Sequence, residues 1–172
     1  MWKLVGSFFV LGGVAGTLYS WICAKKESQK RIEEFVQFIH KSIFAMETEK
    51  IKIIDYFLRY RSDEDKLLEH CLHEVAIQLQ LNTYATGQEA WEEVFIKKKQ
   101  VWELEEELFQ SVLQTGQGFF CRSRQENISM LRKKLMELEI LQQRKKEKNI
   151  QENKLWIPLG MLGGVMTIIL FL

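Results

Sequence analysis

Hydrophobic and polar positions divide the chain into three zones. Leu4 to Ala24 is a run of twenty-one uncharged residues and Leu155 to Leu172 a run of eighteen, on either side of a charged middle. At about 1.5 Å of rise per residue these runs make helices of roughly 31 and 27 Å, against a hydrocarbon layer of about 30 Å. The pattern predicts transmembrane helices over 4–24 and 155–172 around a helical domain over 25–154. Two crossings put both termini on one side of the membrane.

Within the middle, apolar residues recur at helical spacing. Ile32, Val36, Ile39, Ile43 and Met46 form one stripe on a helix that continues out of the first apolar run. Polar Glu47 to Lys50 then marks a bend or a new helix before Ile51, Ile54, Phe57 and Leu58. Ser62 with Asp65, Thr86 with Glu89 and Ser123 with Glu126 each have the spacing of a helix start, a hydroxyl followed three positions later by a carboxylate. The first start leads to Leu68, Cys71, Leu72, Val75, Ala76 and Leu79 as inward positions. The second follows a loop over Asn82 to Gly87 and leads to Ala90, Trp91, Val94 and Phe95. Val101, Leu104, Leu108, Val112 and Leu113 continue on the same or a following helix, which Gly116 and Gly118 are expected to end. After the third start, Ile128, Leu131, Leu135 and Leu138 keep a three-four alternation typical of a helix seam, and no breaker intervenes before Leu155. Long terminal helices are expected to pair antiparallel as a stalk, with shorter helices completing a bundle.

Composition supports an all-α antiparallel helical bundle flanked by two transmembrane helices. Pro158 is the one proline in the sequence, and it lies in the second apolar run. Leu, Glu, Lys and Gln dominate the middle. Cys23, Cys71 and Cys121 give no disulfide framework, and reduced thiols suit a cytosolic domain.

Charge orients the molecule. Lys25, Lys26, Lys30, Arg31, Arg144, Lys145, Lys146, Lys148 and Lys154 flank the apolar runs on the loop side, against Lys3 alone outside. The positive-inside rule then predicts a cytoplasmic middle and both termini outside. A cleaved signal peptide fits poorly, because the run is too long and its charges follow it. A lipid-anchoring tail lacks the small-residue site it needs.

Little in the sequence points to a reaction. His70, Cys71 and His73 cluster on one helix, but zinc needs three or four ligands, and Ile77 stands where an HExxH motif would place its second His. Cys71 is expected inside, with both histidines at the polar boundary. There is no phosphate-cradling loop and no local Ser, His and Asp set, and the apolar runs hold no Asp, Glu, His, Lys or Arg. The expectation is a protein without catalytic, cofactor-binding or metal residues. Residues 25–154 carry twenty-three acidic and twenty-three basic side chains, which argues against nucleic acid as a partner.

Packing and charge layout remain. Gly12 with Gly16, and Gly160 with Gly164, are GxxxG pairs near the middle of the two apolar runs. Small residues four apart let membrane helices approach closely, either within one chain as a hairpin or between copies in a homo-oligomer, although glycine is common in such helices anyway. Charge is graded: residues 25–41 are net +2 and 132–154 net +4, whereas 86–110 carry seven Glu against three Lys, net −4. Basic ends suit anionic headgroups of the lipid bilayer. Glu89, Glu92, Glu93, Glu103, Glu105, Glu106 and Glu107 would then point away from the bilayer, as a solvated face or as a docking surface for a basic partner.

Several strings resemble the stage III sporulation protein AB family of small membrane proteins from endospore-forming bacteria. They are Lys3-Leu4 with Gly6, Glu89-Ala90-Trp91-Glu92-Glu93, Glu105 to Leu108, and Leu159-Gly160 with Leu162-Gly163-Gly164. The chain departs from the family where Asp55-Tyr56-Phe57 replaces a Thr-Pro-Leu turn and where Phe119 to Ser123 replaces a Leu-Gly-x-Ser-Asp turn. The resemblance implies a domain similar to the F component of type II secretion platforms. It also implies a place in the mother-cell membrane around the forespore, contact with a cytoplasmic secretion-type ATPase and with other membrane subunits, and a part in a channel complex. Rival readings are a membrane-anchored adaptor or signalling protein unrelated to secretion, and a small channel or transporter subunit.

Overall fold

The polar stretch after Met46 ends the first helix through its backbone. In the computed structural model, which describes residues 2–62 and 66–171, α1 (Trp2–Thr48) stops before Lys50, whose φ of 53° is left-handed. A right-handed helix cannot propagate through that conformation, so a new helix, α2 (Ile53–Arg59), begins three residues on. In the terminal segments, the side chains of residues 2–12, 14–15, 17–19, 21–22, 24, 152–153, 156–157, 160–161, 164–165 and 167–171 lie outside the description. The start signal at Ser62 and Asp65 also falls partly outside it, at residues 63–65; α3 (Lys66–Gln80) follows.

The remaining elements are α4 (Gly87–Lys97), the single turn α5 (Lys99–Trp102), α6 (Glu106–Phe119) and α7 (Arg124–Phe171). No strand occurs among the described residues. Two capping signals act as expected. The Glu89 N–H donates to Thr86 Oγ1 at 3.2 Å, and the Glu126 N–H donates to Ser123 Oγ at 3.2 Å. Between α5 and α6 the break comes at Glu103, again left-handed with φ 50°.

Contacts divide the chain into a unit of residues 1–29 with 143–172 and a helical unit of residues 30–142. In the first, Lys25 Nζ donates to Asn149 Oδ1 at 3.0 Å, joining its two segments. Among the described residues no helix is long and apolar enough to cross a membrane; most side chains of 4–24 and 155–172 lie outside those residues.

In the helical unit, α1 and α7 run antiparallel, since Glu47 pairs with Arg132 at 2.5 Å and His40 with Glu139 at 2.9 Å. Their inner faces supply Ile32, Ile39, Met46, Leu131 and Leu138 to the core. The centre is aromatic: Phe35, Phe38, Phe57, Trp91, Phe95, Trp102, Phe109 and Phe119 are all fully buried. Trp91 stacks on Phe95 with ring centroids 4.3 Å apart, and Phe95 stacks on Trp102 at 5.4 Å. Such pairs add about 0.5–1.5 kcal/mol each beyond burial.

Two expectations are corrected by packing. Helix α6 runs through Gly116 and Gly118 to Phe119 rather than ending at them. A Cβ at Gly116 would lie 2.5 Å from Trp91 Cδ1, and one at Gly118 would lie 2.7 Å from Leu131 Cδ2. These glycines admit neighbouring helices instead of breaking their own. Val101, expected inward, is 54% exposed, and Trp102 fills the core in its place.

Candidate interaction surface

The acidic residues of 86–110 do not form one uniform patch. Glu89 is occupied locally: its backbone N–H is capped by Thr86, and its carboxylate accepts from the Ala85 N–H at 3.2 Å. Glu92 accepts from the Gln88 amide and Glu93 pairs with Lys97 at 3.1 Å, both within α4. Glu103, Glu105, Glu106 and Glu107 gather at the exposed turn into α6. Glu106 bonds Lys99 at 2.6 Å and Gln110 at 2.8 Å, and these hydrogen bonds hold its carboxyl below the usual carboxylate range. Lys97, held by Glu93, is shifted upward by the same kind of bond.

Glu103 shows where this turn lies. Arg31, near the start of the helical unit, donates to Glu103 at 3.3 Å and to the carbonyls of Val101 and Trp102 at 2.7 and 3.1 Å. Its guanidinium closes the C-terminal end of α5, where carbonyls have no helical partner. The acidic turn therefore sits at the end of the unit where α1 enters and α7 leaves. Of the seven glutamates, Glu103 is the one that meets Arg31 of α1. Sequence reading had counted Arg31 only among the flanking cations; that it reaches a turn seventy residues on has no local signal.

The opposite end of the unit is basic. Lys50 and Lys52 from the α1–α2 turn and Arg122 and Arg124 from the α6–α7 turn line a cavity of about 290 Å³, with Met46, Ile51 and Ile53 as its apolar part. Among the described residues none of the four cations has a carboxylate within ion-pair distance. Buried Asn127 braces this turn: its Oδ1 accepts from the Cys121 N–H at 2.8 Å, and its Nδ2 donates to the Phe119 carbonyl at 2.9 Å. Burial, and then the Glu126 carboxylate, push the Cys121 thiol up. Sequence reading missed this cluster because its halves are far apart in the chain.

Other candidate positions scatter. Cys71 is fully buried, His70 is exposed, and His73 Nε2 lies 2.8 Å from Arg61 Nη1. Among the described residues no three metal-capable side chains converge. Gly16 is exposed, and a Cβ there would meet nothing within 4 Å; the packing of Gly12, Gly160 and Gly164 lies outside the described residues.

The description of one family, stage III sporulation protein AB, matches residues 3–172. The chain belongs to that family. Membership in the stage III sporulation protein AB family implies a role in sporulation, and the match covers the apolar runs as well as the helical unit. Comparison with curated proteins and with solved structures gave no match.

Proposed function

We propose that the chain is a non-enzymatic membrane platform, part of a secretion-like channel complex between mother cell and forespore, and that its helical unit contacts a cytoplasmic secretion-type ATPase. The observation that carries this reading is the family match over 3–172, joined to two charge-free runs whose flanking cations lie nine to one on the loop side. On this reading, residues 4–24 and 155–172 cross the mother-cell membrane around the forespore, both termini are outside, and other membrane subunits of the complex pack against the spans. The helical unit acts by contact: its core is filled by aromatic and aliphatic side chains, and its charged groups lie at its ends and surface.

The test has two parts. Protease added to sealed protoplasts of non-sporulating cells that express the chain in their surface membrane should leave the central body intact and should cut it after lysis; digestion from outside would overturn the topology. Full-length chain solubilised from sporulating cells should carry a secretion-type ATPase with it. A protected body that captures no such ATPase would favour the adaptor reading.

A further inference from the structure

At the end of the helical unit where α1 stops and α7 begins, two turns seventy residues apart bring four cations around one cavity. Lys50, Lys52, Arg122 and Arg124 are all exposed, and among the described residues none takes part in an ion pair, whereas Arg31, Lys97, Lys98, Lys99, Arg132 and Lys134 each hold a carboxylate. Glu49 and Glu126 are the acidic neighbours in sequence, which leaves the cluster with excess positive charge. Like charges held close repel unless an anion joins them. Met46, Ile51 and Ile53 add an apolar part to the lining of the cavity. The α6–α7 half of it is braced beforehand by buried Asn127, which ties the Cys121 N–H to the Phe119 carbonyl.

We propose that this end is a docking surface for an acidic segment of a partner protein, with an apolar side chain entering the cavity and Asp or Glu residues meeting the four cations. Charge complementarity selects the occupant. A simple phosphate would satisfy the cations but leave Met46, Ile51 and Ile53 wet, and among the described residues a second copy offers its turn of Glu103 to Glu107 at the opposite end of the unit. The inference deepens the platform reading by giving the cytoplasmic contact a place and a chemistry.

The experiment uses the full-length chain in nanodiscs of neutral phosphatidylcholine and a short fluorescent peptide that alternates Glu and Leu, with a Lys-Leu peptide as control. Wild type should bind the Glu-Leu peptide and ignore the control, and binding should weaken as salt rises. The K50E/R122E variant should bind about tenfold or more weakly. The K50Q/K52Q/R122Q/R124Q variant, which adds no repulsion, should move in the same direction and decides the matter if the reversed variant loses helicity by circular dichroism. Equal binding by wild type and the glutamine variant, absence of binding by wild type, or full competition by inorganic phosphate at millimolar concentration would each overturn the proposal. The assay reads no topology. Its failure leaves the protease and ATPase-capture tests of the platform untouched, and their failure leaves charge-dependent peptide binding standing.

Discussion

Two tryptophans share one aromatic cluster but have unequal polar fates. The Trp91 indole N–H donates to the Val112 carbonyl at 3.2 Å, whereas the buried Trp102 N–H has no partner among the described residues. A satisfied buried donor contributes about 1 kcal/mol and an orphaned one costs about 1–3 kcal/mol. Trp91→Phe should therefore lower stability by about 1–3 kcal/mol, and Trp102→Phe should cost clearly less, because it removes an unmet donor along with some volume. Urea midpoints of the two variants check the order; a larger loss for Trp102→Phe would show that shape outweighs polarity there. Glu106 offers a second test at this scale. Its lowered pKa means that its favourable contribution is present above the unfolded-state value and is lost as pH falls through the folded-state value. Lys99→Ala should move the Glu106 carboxyl titration, followed by NMR, upward toward the ordinary range. An unmoved titration would dismiss Lys99 as the principal cause.

At the level of elements, the short helix α5 depends on a side chain far away in sequence. Arg31 supplies donors to two of its terminal carbonyls and to Glu103. Arg31→Met should keep the packing of the stem but release the α5–α6 turn, at a cost of about 1–2 kcal/mol, with faster amide exchange confined to residues near Trp102. Uniform exchange across the unit would deny the local role. The helices themselves were largely readable, since the stripe from Ile32 to Met46 and the seam from Ile128 to Leu138 are inside as their spacing requires. Phe35 and Phe38 were passed over because a stripe drawn through β-branched residues is narrower than the buried face. The polar stretch from Glu47 to Lys50 marks the first break, but neither Lys50 nor Glu103 is the Gly that a left-handed backbone favours, so that conformation itself, and the break at Glu103, have no signal in the sequence. Gly116 and Gly118 gave the reverse error: a turn-forming residue type serves here for close approach to Trp91 and Leu131, contacts that lie far outside any local window.

For the whole molecule, the helical unit of residues 30–142 holds its own aromatic core, and its first and last helices are antiparallel. Expressed alone, this segment should be a helical monomer that unfolds in one cooperative step by circular dichroism. A broad, non-cooperative melt would mean that the terminal segments complete the fold. The acidic and basic sites illustrate what chain order conceals at this scale. A run of glutamates is visible in sequence, but its division among caps, i,i+4 pairs and the Arg31 contact is not; the cluster of Lys50, Lys52, Arg122 and Arg124 exists only once α1 and α7 have brought their turns together. That arrangement also has a mechanical result. A tug applied to the basic end loads α1 and α7 side by side in the same direction along their axes, so the two share the tension without sliding past each other, and the contacts between them stay in register.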